Sequence, residues 1–248
     1  MKQLEGKIAI VTGAGRGIGR EIALSLGAQG AYVYGVSRTL LDLEETVALI
    51  KENGGKAFAF PLDLTHETNV INMVAQVEKL SGGIDILINN AGGYPREIYN
   101  QRDKQAIRLW EWSKEQWDQI LKTNLDIPFL CMKHVIPVMI RQQQGDIINI
   151  SSRMGRIASQ MGGYAVAKGG IITMTKTAAI QTQEYGIRVN AISPGMLDTP
   201  GQRAYNHSVG QDHAIMGTPK SVANATLYLL LGAPAQMTGQ SLDLFSAL

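Results

Sequence analysis

The stretch Lys7-Ile8-Ala9-Ile10-Val11-Thr12, running into Gly13-Ala14-Gly15-Arg16-Gly17-Ile18-Gly19, decides how the rest of the chain is read. An apolar run of strand length with no polar alternation suits a strand buried on both faces, as in a parallel sheet. Arg20 to Gln29 then carries the apolar spacing of an amphipathic helix. Glycines at a strand-to-helix turn let the backbone approach a pyrophosphate, which sits at the positive end of the helix. A glycine-rich turn also serves as plain punctuation, but a strand before it and a helix after it is the context that a phosphate cradle requires.

Outward from this turn the alternation repeats. Ala31 to Val36 reads as a second strand, and Leu41 to Asn53 as a helix closed by Gly54-Gly55. Ala57 to Pro61 is a third strand leading to Asp63-Leu64, where such a sheet meets an adenine ring. Thr65 to Leu80 is a helix, Ile84 to Ile88 a strand, and Asn89-Asn90-Ala91-Gly92 follows it. Asp146 to Ile150, Ile187 to Ser193 and Ser241 to Phe245 supply later strands. The expected class is α/β: one doubly wound Rossmann-type domain over residues 1–248, with a parallel sheet of about seven strands and helices on both faces. Residues 1–150 form the nucleotide half of that expectation and 151–248 the catalytic half.

Composition narrows the function. The 248 residues carry a formal net charge of +2, too little to favour nucleic acid or an anionic membrane surface. No apolar run reaches membrane-spanning length and no signal-peptide core precedes the first strand, so a cytoplasmic protein is expected. The lone Cys131 excludes an internal disulfide and reads as a buried structural thiol. His66, His134, His207 and His213 lack metal-ligand spacing, so no metal is expected. No Gly-x-Ser-x-Gly elbow points to a hydrolase.

The chemistry falls in Ser151 to Lys168. Tyr164 and Lys168 are four residues apart, so on a helix the phenol and the ammonium share one face. A free phenol with a pKa near ~10 is a poor acid or base at neutral pH, and a nearby cation favours the phenolate. Tyr164 is thereby a candidate general acid/base. Ser151 and Ser152 end the strand upstream and offer a hydroxyl to hold a carbonyl oxygen. Taken alone, Tyr-x-x-x-Lys equally fits a solvated helix face with a snorkelling lysine.

Taken together, these motifs resemble the short-chain dehydrogenase/reductase family. Thr12, Gly13, Gly17 and Gly19 match its Thr-Gly-x-x-x-Gly-x-Gly motif; Asn89 to Gly92, Tyr164 with Lys168, and Pro194-Gly195 with Thr199 match the others in order. The resemblance implies hydride transfer between a nicotinamide and a carbonyl or alcohol carbon, with Ser152, Tyr164, Lys168 and Asn124 as catalytic residues. Asn124 is the position at which the family supports a water-linked relay, although a buried helical asparagine also serves structure alone. The family's Ser-x-x-Gly selects Ser152 through Gly155, and the spacing to Tyr164 is then twelve where thirteen is more common. Cofactor contacts are expected from Gly13, Gly15, Arg16, Gly17, Ile18, Gly19, Ser37, Arg38, Asp63, Leu64, Asn90, Ala91, Gly92, Tyr164, Lys168, Pro194, Gly195 and Thr199. No acid follows the second strand until Asp42, and Arg16 and Arg38 suit a 2′-phosphate, which favours NADP(H) over NAD(H).

The substrate is expected to be a small carbonyl or alcohol compound. A 3-oxoacyl thioester reductase and an NAD-dependent alcohol or sugar dehydrogenase are the alternatives, and a nucleotide-sensing module is the non-enzymatic one. The resemblance further implies a homodimer or homotetramer, for which Ala165, Ala167, Gly169 and Gly170 permit close helix approach; they equally suit packing within one chain. The usual Asp-Gly-Gly at the end of the last strand is replaced here by Asp243-Leu244-Phe245. Arg153 and Arg156 beside the cleft suit an anionic substrate or simply the surface. Tyr94 to Trp112 reads as a cleft cover or a solvated excursion, and Met196 to Gly217 as an irregular loop. From Ser113 at an N-cap, one helix is expected to run to about Gln142, bent at Pro128.

Overall fold

The computed structural model describes residues 2–94, 107–159, 161–208 and 216–245. Seven strands form one wholly parallel sheet in the order β3-β2-β1-β4-β5-β6-β7. They are β1 (Ile8–Thr12), β2 (Tyr32–Ser37), β3 (Lys56–Pro61), β4 (Ile86–Asn89), β5 (Gly145–Ile150), β6 (Ile187–Pro194) and β7 (Ser241–Leu244). The order reverses between β1 and β4, so the crevice beyond their carboxyl ends is the place where such sheets take ligands.

The period-2 geometry of a strand explains the two cores. In β1, Ile8 and Ile10 join one apolar cluster with Leu87, Val135 and Met139, while Ala9 and Val11 face the other with Ile22, Leu26 and Val222. The helices are α1 (Gly17–Ala28), α2 (Leu40–Glu52), α3 (Glu67–Ser81), α4 (Lys114–Leu121), α5 (Ile127–Gln142), α6 (Gly162–Thr182), α7 (Pro200–Ser208) and α8 (Pro219–Leu227); all but α4 and α7 contribute to these two cores. Cys131 lies fully buried in the first cluster, where burial pushes its thiol up to about 12 and keeps it unreactive.

Three expectations change. The helix after Ser113 is interrupted not by Pro128 but by a π-helical turn, Lys122–Asp126, and Pro128 falls in the first turn of α5 where its missing N–H costs nothing. Residues 196–217 are not wholly irregular: α7 forms within them, with the Thr199 hydroxyl accepting from Gln202 N at 3.1 Å. Its residues are too polar to display an apolar stripe, so periodicity could not reveal it. At the end of the Tyr94 to Trp112 segment the two readings divide: Trp112 packs near Tyr94 and Tyr164, whereas Trp110 is 78% exposed. Residues 95–106 and 209–215, which include His213, lie outside the described residues, as do 246–248.

Candidate active site

The glycine turn is held from three sides. Gly13 is at φ +68°, and a side chain there would meet Asn90 Nδ2 at 2.7 Å. The buried Thr12 hydroxyl donates to Ile88 O at 3.2 Å and accepts the N–H groups of Asn90 and Ala91, each at 2.9 Å. Asn90 returns its amide to Thr12 O at 3.0 Å and Gly13 O at 3.3 Å. The Asn89 to Gly92 segment thus locks the turn across the β1–β4 switch point. From the other side Thr46 and Arg20, which sequence reasoning missed, bind the carbonyls of Ala14 and Gly15: Thr46 Oγ1 to Ala14 O at 3.1 Å, and Arg20 Nε and Nη2 to Gly15 O at 3.0 and 2.6 Å. Neither belongs to a strand-end motif, so no local signal marks them.

Gly19 lies directly on the Gly13 carbonyl, and a methyl group at Gly19 would overlap that oxygen. Because the obstacle is backbone, Gly19→Ala is expected to cost about 2–3 kcal/mol in chemical denaturation, in the upper range of overpacked sites. A loss below ~0.5 kcal/mol, the usual surface value, would show that the turn yields freely.

The N-terminus of α1 has no acidic residue in its first turn and no side-chain cap, which leaves its amides and dipole for an anion. Gly17, at φ +56°, leaves room beside Thr199, where a side chain on it would sit 3.4 Å from the Thr199 Cβ. Ile18 packs partly against the second core. A dinucleotide's pyrophosphate therefore fits among Gly13 to Gly19 and Thr199. Arg16 and Arg38 are both exposed at this edge. Asp63 accepts Thr65 N at 2.9 Å. Burial pushes the Asp63 carboxyl up, but the Thr65 hydrogen bonds and the nearby Arg38 outweigh it and hold the group below its usual value. Leu64 turns its side chain into the core, which leaves only its backbone to face an adenine. The structure also brings in an acid: Asp42 Cβ comes within 2.8 Å, and Ser37 Oγ within 3.1 Å, of where a side chain on Gly15 would begin.

At the carboxyl ends of β5 and β6 the candidate catalytic groups converge. Ser151 is buried and its hydroxyl donates to Lys168 O at 2.7 Å, whereas Ser152 is only half-buried. Ser152 Oγ accepts Met154 N at 3.2 Å at the head of a short 3₁₀ turn, Arg153–Gly155, and lies near enough to Tyr164 to act on its phenol. Gly155 permits this turn to press against α6, since a side chain there would begin 2.5 Å from the Lys168 carbonyl carbon.

Lys168, 4% exposed, donates to Ile150 O at 2.9 Å with its Nζ 5.7 Å from the Tyr164 ring centre. Burial pushes the Tyr164 phenol up, and the group that works against this rise is Ser152. Burial pushes Lys168 down to about 8. The expected lowering of the phenol by the lysine is thus replaced by a shared dry environment that pushes each group toward its neutral form, the phenol up and the ammonium down.

Asn124, fully buried in the π-helical turn, clamps Gly93 with both ends of its amide: Oδ1 accepts Gly93 N at 2.8 Å and Nδ2 donates to Gly93 O at 2.9 Å. Asn124 Oδ1 and Lys168 Nζ both border Gly92. The clamp sets the next residue, Tyr94, with its ring 6.0 Å from that of Tyr164 and 6.5 Å from Trp112. Burial, with Tyr205 of α7 nearby, pushes the Tyr94 phenol up to about 12. The reading of Tyr94 to Trp112 as a cleft cover included Tyr94 without marking it individually, because its neighbours Trp112, Tyr164 and Tyr205 come from separate parts of the chain. Gly195 donates its N–H to Leu244 O at 3.1 Å, which ties the Pro194-Gly195 turn to β7. Ala167 is buried, Gly169 faces Gly155, and Gly170 packs on Leu125, so these small residues serve packing within the chain.

A doubly wound parallel sheet, a glycine turn at its switch point and a Ser-Tyr-Lys group at its carboxyl edge define a nucleotide-dependent oxidoreductase site. Residues 7–210 match the short chain dehydrogenase family. An uncharacterized oxidoreductase, YxbG of Bacillus subtilis, is 38% identical over 99% of this chain and 86% of its own. The 3-oxoacyl-[acyl-carrier-protein] reductase of Vibrio cholerae is 34% identical over 96% of each. Among solved structures, a putative short-chain dehydrogenase/reductase from Burkholderia xenovorans superposes with a TM-score of 0.87 at 31% identity, over 98% of this chain and 97% of that one. Two others are an actinorhodin polyketide ketoreductase with NADPH (TM-score 0.85, 28% identity, 96% and 95% covered) and a 7α-hydroxysteroid dehydrogenase with NADH and a 7-oxo bile acid (TM-score 0.86, 29% identity, 98% and 94% covered). The chain belongs to the short-chain dehydrogenase/reductase family, oxidoreductases that act on CH–OH and C=O groups with a nicotinamide cofactor. Among the described residues no helix is long and apolar enough to cross a membrane, and no cluster of three metal-ligating side chains occurs.

Proposed function

We propose that this protein is an NADP(H)-dependent carbonyl reductase for substrates that carry the carbonyl on an apolar body. The observation that carries the reading is the convergence of Ser152, Tyr164 and the buried Lys168 at the carboxyl ends of β5 and β6, with Lys168 Nζ 5.7 Å from the Tyr164 ring centre. The nicotinamide, when bound, supplies the hydride to the carbonyl carbon. Tyr164 gives its proton to the carbonyl oxygen. Ser152, whose oxygen accepts Met154 N–H, turns its hydroxyl proton to that oxygen when the substrate is bound. Lys168 binds the ribose beside Gly92 and steadies the phenolate as it forms, and Asn124, bordering the same glycine, supports proton resupply. Tyr94, Trp112 and Tyr205 give the cleft an aromatic wall, which supports an apolar substrate. The resemblance to a 3-oxoacyl thioester reductase supports that substrate as the second choice. Exposed Phe129, Val166 and Ile180 on α5 and α6 support a dimer or tetramer.

Arg16 and Arg38, exposed at the adenosine end, support a 2′-phosphate; Asp42 beside Gly15 and Ser37 supports the alternative, a free ribose hydroxyl. Fluorescence titration decides between them. NADPH is expected to bind at least ~10-fold more tightly than NADH, about 1.4 kcal/mol, with the advantage lost in Arg16→Ala/Arg38→Ala. Equal or tighter binding of NADH assigns the discrimination to Asp42 and makes alcohol oxidation the better reading.

A further inference from the structure

The two places where this chain departs from its family's pattern, the short Ser152 to Tyr164 spacing and the C-terminus without a glycine pair, meet in space. Arg156 reaches Asp243 Oδ2 with Nη2 at 2.9 Å and Nε at 3.3 Å. The Arg153 guanidinium lies 5.1 Å from the centre of the Phe245 ring. Its Nε is buried with no hydrogen-bond partner, so the ring face supplies contact that no acceptor supplies. Phe245 also fills the space beside Gly195, with its Cβ 2.8 Å from where a side chain on that glycine would begin. Residues 243–245 therefore touch both walls of the reaction site, the turn after Ser152 and the Pro194-Gly195 turn.

The contact matters because the turn is weak by itself. Arg153–Gly155 is closed by two backbone bonds, Gly155 N to Ser152 O at 3.0 Å and Arg156 N to Arg153 O at 2.9 Å. Short 3₁₀ turns have poor hydrogen-bond geometry and depend on their surroundings. This turn sets the Ser152 hydroxyl through Met154 N–H, and a displacement of about 1 Å at a reacting group can cost on the order of 10²-fold in rate.

We propose that Asp243 and Phe245 are positioning residues, which hold the Ser152 turn through Arg156 and Arg153 so that the serine hydroxyl keeps its place in the cleft beside Tyr164. The inference rests on the reading of Ser152 and Tyr164 as the carbonyl-binding pair. The Arg156–Asp243 pair is only about two-thirds buried on either side (side-chain exposures 34% and 35%), so its loss is expected to leave the fold intact.

The test uses the full chain as R156D, D243R, the exchanged double R156D/D243R, and F245A. Each is assayed with NADPH and NADH on two probes, an acetoacetyl thioester and trans-1-decalone. In parallel, the ionisation of Tyr164 is followed by ultraviolet difference titration against the Tyr164→Phe form, which needs no substrate. Each single variant is expected to lower kcat about tenfold with nucleotide Kd within about twofold. Each is also expected to raise the Tyr164 pKa, because Ser152 is the group that lowers it. Lys168 and Tyr94 also face this phenol, and the variants leave both in place. R156D and D243R change net charge in opposite senses, so a shift of the same sign in both reports geometry and not charge. The double is expected to recover both readouts to within about threefold of the original protein. Unmoved titration in the singles, shifts of opposite sign, or a double no better than its worse parent overturns the brace. An unaltered protein that turns over neither probe, while its Tyr164 titration still responds and recovers, overturns the reductase reading and leaves the brace standing.

Discussion

Tyr164→Phe is expected to lower kcat by about 10³-fold while nicotinamide-nucleotide binding stays within about twofold. The substitution removes one hydroxyl and leaves the ring, so contacts with Tyr94 and the Ile107, Ile120 and Ala167 cluster persist. Lys168 is the nearest other proton source, and its ammonium, 5.7 Å from the ring centre, already donates to Ile150 O. Tyr94 has a hydroxyl, but burial and Tyr205 push its phenol up to about 12, too weak an acid to take over near neutral pH. Stopped-flow turnover with a nucleotide titration on the same sample checks both halves. Retained turnover would show that the proton comes from elsewhere, and lost nucleotide binding would show that the ring was holding the cofactor cleft together.

Lys168→Met is expected to separate function from stability. Activity should fall by about 10²-fold or more, since the ribose contact and the charge beside the phenol go together. Stability should rise. The Lys168 pKa is about 8 in the fold against 10.5 in the open chain, so between these values the unfolded state binds more protons. The penalty for carrying the buried charge is then fully present below pH 8 and fades as pH rises toward 10.5. A shift of this size corresponds to roughly 3 kcal/mol, reduced by the loss of the hydrogen bond to Ile150 O. Denaturation should therefore show the methionine form about 2 kcal/mol more stable at pH 7, with the gap closing near pH 10. A methionine form that is less stable at pH 7, or a gap indifferent to pH, would mean that the ammonium is not desolvated in the native cleft. Such an exchange, with stability given up for chemistry, is the usual signature of a functional group held in a dry site.

Most of the fold was legible in the residues because its signals are local. The apolar run Ile8 to Thr12, the glycines after it and the helix at Gly17 each follow from neighbours within a few positions, and alternation of such units leaves few arrangements besides a parallel sheet. Tyr164 and Lys168 could be paired for the same reason, since four residues on a helix is one turn. The π-helical turn before α5 was not legible because a proline shows in a sequence and a π-helical turn does not; α7 was missed because it lacks an apolar face.

By itself, then, the sequence determined the family, the order of the strands' neighbours in the chain and the candidates for the reaction site, all of which depend on spacing along the backbone. Only the tertiary structure decided what those groups experience. The grip of Asn124 on Gly93 joins residues 31 apart, and that of Arg156 on Asp243 joins residues 87 apart. The place of Asp42 beside Gly15 likewise depends on how α2 packs against the turn. The directions in which Tyr164 and Lys168 shift were reserved to the fold for the same reason: desolvation is set by everything packed around a group, and no stretch of chain contains that information.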